Sequence, residues 1–173
     1  IKTINQRKKV QKKVRFPLIG IHGFRQYTLP TTKIDSNNPA IVRKAAEIVE
    51  GETDLFKASF KLANWVSENV NYSLNELTTD VAQPASWVLQ FRQGVCDEMT
   101  SLFVAMARSQ GIPARFVSGI SYTENADVLA TIGKNWANHG WAELYFPEVG
   151  WVSFDIAFDE YGYVDVTHIK LRE

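Results

Sequence analysis

The sequence holds a single cysteine, Cys96, so no disulfide can form within the chain. This excludes a small scaffold held together by internal disulfides but leaves the redox compartment open. No apolar run approaches the ~20 residues that cross a bilayer, and no signal-peptide core is visible. The spacings CxxC, HxxxH and HExxH are absent, as are GxGxxG and Walker-type runs. We therefore expect neither a metal site nor a nucleotide or other cofactor.

Acidic side chains are absent from the first fifteen residues, which hold seven of the nineteen lysines and arginines. The remaining segment carries twelve basic and nineteen acidic residues, a net charge of −7, which argues against nucleic-acid binding by the main body. The basic arm could still contact phosphates or anionic lipid. Its apolar residues recur at even spacing, which favours a solvated edge strand or tether over membrane contact.

Length and composition suit one compact domain. The chain has 173 residues, 45% of them hydrophobic, and it shows no internal repeat or linker-like cluster of proline and glycine. We place the basic arm and an irregular approach loop at residues 1–37 and the folded domain at residues 38–173. The first residue is Ile1 and not methionine, so we expect the chain to be part of a longer polypeptide.

Helical signals dominate the first half of the folded domain. Pro39 follows an asparagine cap and begins one helix, Asp54 caps a second, and a short third helix starts near Pro84. A fourth helix starts at Cys96. Its apolar face has helical spacing and holds Met99, Leu102, Phe103 and Met106.

From Ala114 onward the hydrophobic period changes to two. The segments ARFVSGISY, HGWAELYF and GWVSFDIAF are rich in aromatic and β-branched residues, as strands are. Helices that precede a group of strands indicate an α+β fold, in which an antiparallel meander packs on the N-terminal helices.

Two roles are open to Cys96. A lone cysteine is often a small buried hydrophobe. At a helix N-terminus, however, unpaired N–H groups and the helix dipole favour the thiolate and can lower the thiol pKa below its free value of ~8.5. Asp97 and Glu98 suit a helix start as caps, but their charges would oppose the thiolate if they point at the sulfur. A nucleophilic role therefore needs a partner histidine.

Three histidines are available as that partner. For His22 and His168 we expect surface or hydrogen-bonding roles. His139 differs because it opens a strand, and the next strand carries Asp155. A carboxylate on a neighbouring strand could orient the imidazole.

The register of these two strands decides whether His139 and Asp155 meet. If Phe146 pairs with Gly150, Asp155 falls diagonal to His139 on the same face of the sheet. A slip of one residue moves Asp155 to the opposite face. The first register is thus a requirement of any triad.

With that register, Cys96, His139 and Asp155 form a candidate catalytic triad. His139 would pair with the thiolate, Asp155 would hold the imidazole tautomer, and the Cys96 N–H would be one oxyanion donor. Gln90 and Gln93 lie upstream and could supply a second donor, but their positions are open at the level of sequence.

Two blocks, GVCDEMTSLFVAMARSQGIPARFVSG and NHGWAELYFPEVGWVSFD, resemble the transglutaminase-like superfamily, which shares the papain-like fold of cysteine enzymes. The helical segment that precedes them resembles the lead-in to that motif. The resemblance implies a Cys-His-Asp triad at Cys96 in GVC, His139 in NHGWAEL and Asp155 in WVSFD. A papain-type second cysteine is missing, and the third member is aspartate, which favours the transglutaminase-like branch.

The resemblance implies acyl transfer at protein or peptide amides through a thioester, ending in transamidation or in hydrolysis. A catalytically inactive binding or scaffold domain of the same fold is the alternative. Some relatives depend on calcium, but no DxDxDG loop occurs here, so we expect none. Microbial relatives are often exported or membrane-attached, which favours a location outside the cytoplasm.

Overall fold

A computed structural model describes residues 13–20, 23–73 and 82–173. Residues 1–12, which hold most of the predicted basic arm, and His22 lie outside the described residues. The sequence predicted the first four helices. Within the described residues the α-helices are α1 Pro39–Ile48, α2 Leu55–Asn69, α3 Ala85–Phe91, α4 Cys96–Ser109 and α5 Ala126–Ile132.

Side-chain caps start the first two helices as the sequence predicts. The Asn38 carboxamide accepts a hydrogen bond from the Ala40 N–H at 3.0 Å. The Asp54 carboxylate accepts from the Phe56 N–H at 2.9 Å. Each bond satisfies an N–H group that has no partner within the helix, so both helix starts are fixed locally.

Within the described residues the strands are β1 Asn71–Tyr72, β2 Gln93–Gly94, β3 Ala114–Tyr122, β4 Trp136–Phe146, β5 Gly150–Asp155, β6 Glu160–Tyr161 and β7 His168–Arg172. They form a two-stranded parallel pair and a five-stranded antiparallel sheet. In the larger sheet the order is β6-β5-β4-β3-β7, so β3 to β6 make a meander and β7 returns to pair with β3. The predicted α+β class and antiparallel meander are confirmed.

Two strands differ in length from their prediction. β4 begins at Trp136, earlier than the predicted start at His139. β5 ends at Asp155, although the predicted segment continued to Phe158. The strand stops there because the Asp155 carboxylate accepts backbone N–H bonds from Ala157 and Phe158, which turns the chain.

Helix α4 occupies the centre of the core. It packs against α1, α2 and α3 on one side and against β3 and β4 on the other. Leu102, Phe103 and Met106 have no exposed surface. Burial of these side chains anchors the helix, and with it the position of its first residue, Cys96.

The predicted arm and approach loop contribute to the same core. Phe16 is 6% exposed and Ile34 is 8% exposed, and both belong to the main hydrophobic cluster. Arg15 forms a single antiparallel bridge with Asp54. The boundary between the arm with its approach loop and the folded domain, placed between residues 37 and 38, stays a prediction. Within the described ranges, no helix is both long and apolar enough to cross a membrane.

Candidate active site

Strands β4 and β5 adopt the register that joins His139 to Asp155. Phe146 pairs with Gly150 across the hairpin. The Nε2 atom of His139 lies 2.5 Å from Oδ2 of Asp155, and both side chains are buried. Because Nε2 donates to the carboxylate, Nδ1 is the nitrogen left to accept a proton. The sequence left the register open, and the one observed is the register that a triad requires.

The Asp155 carboxylate is fully buried and fully hydrogen-bonded. Oδ1 accepts from the N–H groups of Ala157 at 2.9 Å and Phe158 at 3.1 Å. Oδ2 faces the imidazoles of His139 and His168. Burial alone would raise the pKa of Asp155, but the hydrogen bonds from the two histidines outweigh it and the pKa is lowered. The group is therefore an ionised carboxylate at neutral pH.

His168 is the site residue that sequence reasoning missed as part of this cluster. Its side chain is buried, and Nε2 lies 2.8 Å from Asp155 Oδ2 while Nδ1 lies 3.0 Å from Asp165 Oδ1. The hydrogen-bonding role that the sequence left open is thus the one observed. His168 reaches the site because β7 pairs with β3, with His168 opposite Ser121.

Cys96 and its helix contact β4, the strand of His139, at the backbone of Gly140. The N–H of Gly140, the residue after His139, faces the Cys96 sulfur. One turn along α4, the Thr100 hydroxyl donates to the Gly140 carbonyl at 3.0 Å. A Cβ atom at position 140 would meet the Phe116 ring and lie 2.6 Å from Asp97 Oδ1, so any other residue would displace these side chains.

Glu98 caps the start of α4, as the sequence predicts. Its carboxylate accepts from the Val95 N–H at 3.1 Å, and its second oxygen accepts from the Gln83 N–H at 3.1 Å. Asp97 instead lies beside the sulfur, and the Cys96 thiol donates to Asp97 Oδ1 at 3.7 Å. Among the described residues, no hydrogen bond joins the Cys96 sulfur to the His139 ring.

Electrostatics around the sulfur favour the neutral thiol. Burial raises the pKa of Cys96, and the nearby Asp97 carboxylate raises it further. The Gly140 N–H lowers it, but by less. The favourable field of the helix N-terminus, on which the sequence argument relied, is thus outweighed by burial. Formation of the thiolate requires a proton acceptor beside it.

A cleft of about 520 Å³ opens next to His139. Tyr72, Asn138 and Phe158 are among the residues that line it. Tyr72 is held there by the parallel pairing of β1 with β2, in which it lies opposite Gly94. Its hydroxyl faces the Cys96 N–H, the expected oxyanion donor. A carbonyl oxygen bound at that N–H would lie close to the phenol.

Of the two glutamines considered as oxyanion donors, Gln90 faces a different part of the surface. It lines a cavity of about 830 Å³ together with Arg43, Lys44 and Trp87. Gln93 lies in β2, opposite Asn71. The Tyr72 hydroxyl is therefore better placed than the Gln90 amide to contact an oxyanion at the Cys96 N–H.

Among the described residues, side-chain atoms of the kind that bind metals form two overlapping groups, in each of which the atoms lie within 4.8 Å of one another. His139 and His168 are hydrogen-bonded to Asp155, and His168 to Asp165, so we treat these contacts as a hydrogen-bond network. The absence of a bound metal in this protein stays a prediction. The two groups are His139, Asp155 and His168, and Glu160, Asp165 and His168.

Comparison with known proteins gives one curated relative with clear similarity. The chain is 31% identical over 122 residues to the uncharacterized protein YebA of Bacillus subtilis, a match that covers 64% of this chain and 16% of YebA. The chain thus corresponds to a small part of that relative.

Solved structures share the fold. A candidate cysteine protease from Cytophaga hutchinsonii superposes with a TM-score of 0.73 at 20% identity, covering 98% of this chain and 52% of that one. The periplasmic domain of TgpA from Pseudomonas aeruginosa, bound to ethylmercury, superposes with a TM-score of 0.57 at 23% identity, covering 79% and 49%.

The family model of the transglutaminase-like superfamily matches residues 42–156, a range that contains α4, β4 and β5 with Cys96, His139 and Asp155. The matched range is most of the described chain, and the structural neighbours have the same papain-like architecture. The chain belongs to the transglutaminase-like superfamily and has the fold of its cysteine-dependent enzymes.

Proposed function

We propose that the protein catalyses cysteine-dependent acyl transfer at protein or peptide amides, with Cys96, His139 and Asp155 as its catalytic triad. The bond of 2.5 Å between His139 Nε2 and Asp155 Oδ2 carries the proposal. It fixes the tautomer that leaves Nδ1 able to take a proton. The contact of Gly140 with the Cys96 sulfur holds the nucleophile beside the same strand.

In the proposed reaction the Cys96 sulfur attacks the amide carbonyl carbon and its proton passes to His139 Nδ1. A carbon–sulfur bond forms, and the carbonyl oxygen becomes an oxyanion beside the Cys96 N–H. Collapse of this intermediate breaks the carbon–nitrogen bond, and His139 returns the proton to the leaving amine. Asp155 stabilises the imidazolium in between, and a thioester on Cys96 remains.

The acceptor then determines the outcome. A primary amine that attacks the thioester gives transamidation, and water gives hydrolysis. The superfamily name supports the first outcome, and the candidate cysteine protease of Cytophaga hutchinsonii supports the second. Both use the same thioester, so the triad can be tested before the acceptor is known.

The first test is the rate of Cys96 alkylation by iodoacetamide as a function of pH, in the parent protein and in His139→Ala. Iodoacetamide reacts with the thiolate form of cysteine, so its rate reports the thiolate without any substrate. If His139 accepts the thiol proton, the substitution lowers the rate at pH 7 by about tenfold or more. Equal rates in the two proteins would contradict the proposed triad. If the two rates differ as expected, glutamine peptides supplied with an amine probe would distinguish transamidation from hydrolysis.

A non-catalytic binding or scaffold domain is the second candidate. The neutral thiol favours it, because burial and Asp97 raise the pKa of Cys96 and the thiol bonds to Asp97. In that case Cys96 alkylates slowly in both proteins and only above the pH range of an ordinary thiol. The same pH series therefore separates the two candidates.

We also propose that the protein acts outside the cytoplasm. The support is the likeness of its fold to a periplasmic domain, that of TgpA. Protein or peptide substrates are the proposed partners, and for the basic arm we propose a solvated edge strand or tether in preference to membrane contact. Fractionation of cells that express the natural full-length protein, followed by antibody detection of this domain, tests the location.

A further inference from the structure

One carboxylate oxygen in this site serves two imidazoles. Asp155 Oδ2 lies 2.5 Å from His139 Nε2 and 2.8 Å from His168 Nε2. Asp155 has no exposed surface, and His168 is 2% exposed. For both contacts to be hydrogen bonds, each ring must carry a hydrogen on Nε2. A triad needs only one of these rings, so the second calls for an explanation.

The other nitrogen of His168 also faces acidic groups. Nδ1 lies 3.0 Å from Asp165 Oδ1 and 3.9 Å from Glu160 Oε2. A neutral imidazole has one N–H and can donate to one carboxylate only, whereas an imidazolium donates from both nitrogens. Carboxylates on both sides of His168 therefore favour its charged form. Burial alone would lower the pKa of His168, but these hydrogen bonds and charges outweigh it and the pKa is raised.

Titratable groups around His168 come from several elements. Asp155 ends β5, Glu160 lies in β6, Asp165 precedes β7, and His139 lies in β4. The centroid of the His168 ring lies 5.4 Å from that of the His139 ring. At this distance, between two buried rings, a charge on one imidazole acts on the other.

Aromatic side chains restrict the motion of both imidazoles. The Phe158 ring lies 4.9 Å from the His139 ring and 5.4 Å from the His168 ring. Trp141 contacts both rings as well. The buried Trp141 ring and the partly exposed Phe158 ring thus flank both histidines beside Asp155.

We propose that His168 is a positioning residue: as an imidazolium it holds Asp155 against His139 and shares the carboxylate's charge, and so sets how readily His139 accepts the Cys96 proton. The inference rests on the proposed function, and it extends the triad to a second histidine behind the carboxylate. It implies that a neutral replacement at position 168 leaves Asp155 fully available to stabilise the His139 imidazolium. Proton transfer from Cys96 to His139 then becomes easier.

The test compares the parent protein with His168→Gln and with Lys170→Gln. Glutamine keeps an N–H donor for Asp155 but removes the charge. Lys170 lies on the same strand and pairs with Glu143 at 3.0 Å, so its substitution controls for disturbance of β7. Nitrogen-15 NMR of the histidine rings measures the protonation of each imidazole across pH 5–9. The rate of alkylation by iodoacetamide measures the reactivity of Cys96.

We expect both nitrogens of the His168 ring to be protonated at pH 7 in the parent. In His168→Gln, Cys96 alkylation at pH 7 should rise by about threefold. Lys170→Gln should leave it unchanged. A singly protonated His168 ring at pH 7, or parent-like Cys96 alkylation in His168→Gln, would overturn the inference.

Failure of this inference is distinguishable from failure of the proposed function. If His139→Ala alkylates like the parent, the proposed triad is wrong, yet the NMR titration of the His168 ring still decides whether that ring is an imidazolium at pH 7. If His168→Gln does not fold, the ring titration of the parent protein decides by itself. A parent His168 that is neutral through pH 6–8 then refutes the positioning role.

Discussion

The imidazole of His139 and the carboxylate of Asp155 meet across neighbouring strands, with Nε2 2.5 Å from Oδ2 and both groups shielded from solvent. The carboxylate takes two further backbone bonds at the turn that follows β5. Because the Asp155 carboxylate is hydrogen-bonded to several groups at once, it also holds those groups in place. Loss of its charge should affect chemistry and stability together.

We predict that Asp155→Asn lowers Cys96 alkylation at pH 7 by about 100-fold and destabilises the protein by about 3–5 kcal/mol. Asparagine retains the shape but removes the charge that balances two buried imidazoles. Urea unfolding measures the stability change. Asp127→Asn, an exposed carboxylate in the first turn of α5, is the control and should change neither quantity. Parent-like reactivity and stability in Asp155→Asn would contradict the assigned role.

The contact between His139 and Asp155 was accessible from the sequence because it depends on one hairpin. Phe146 and Gly150 flank a short loop, so few registers are possible, and alternation along each strand then places the two side chains on one face. Asn38 and Asp54 were accessible for a similar reason, since a cap acts within three residues of itself.

Features that depend on distant pairing were not accessible. His168 reaches Asp155 only because β7 pairs with β3, a strand that ends at Tyr122, far back in the chain. No local sequence pattern indicates which edge of the sheet a C-terminal strand joins. Helix α5 was missed although Asn125 caps its start and Gly133 ends it, the signals that mark a helix of only seven residues. The burial of Cys96, which decides its pKa, likewise depends on the packing of the whole domain.

Asp97 should restrain the reactivity of Cys96. Its carboxylate lies 3.7 Å from the sulfur and adds to the burial that raises the thiol pKa. We predict that Asp97→Asn moves the alkylation profile to lower pH and raises the rate at pH 7 by about threefold to tenfold. Glu47→Gln, on the exposed face of α1, is the matched control. A slower or unchanged rate in Asp97→Asn would show that its charge does not reach the thiol.

Tyr72 should assist reactions that generate an oxyanion and no others. Its hydroxyl faces the Cys96 N–H, where the oxyanion of an acyl transfer would lie. We predict that Tyr72→Phe slows acylation by p-nitrophenyl acetate by about 100-fold and leaves alkylation by iodoacetamide within about twofold of the parent, because alkylation forms no oxyanion. Tyr163→Phe controls for loss of a phenol elsewhere. Equal effects on both reagents would indicate that Tyr72 acts on the thiol itself.

The cluster around Asp155 should make stability depend on pH in two opposite ways. The pKa of Asp155 is lowered in the folded protein, so its contribution is present above the unfolded value of ~3.9 and is lost as the pH falls through the folded pKa. The pKa of His168 is raised, so its contribution is fully present below the unfolded value of ~6.5 and is lost as the pH rises through the folded pKa.

These signs lead to a specific expectation for His168→Gln. The free energy of unfolding of the parent should exceed that of the variant most at pH 5–6, and the difference should shrink steadily as the pH rises toward 9. Urea unfolding of both proteins at pH 5, 6, 7, 8 and 9 measures this difference. A difference that stays constant with pH would mean that the pKa of His168 is the same in the folded and unfolded states, so that the ring contributes through packing alone. A difference that grows with pH would mean that the folded protein holds the ring neutral, and this too would contradict the prediction.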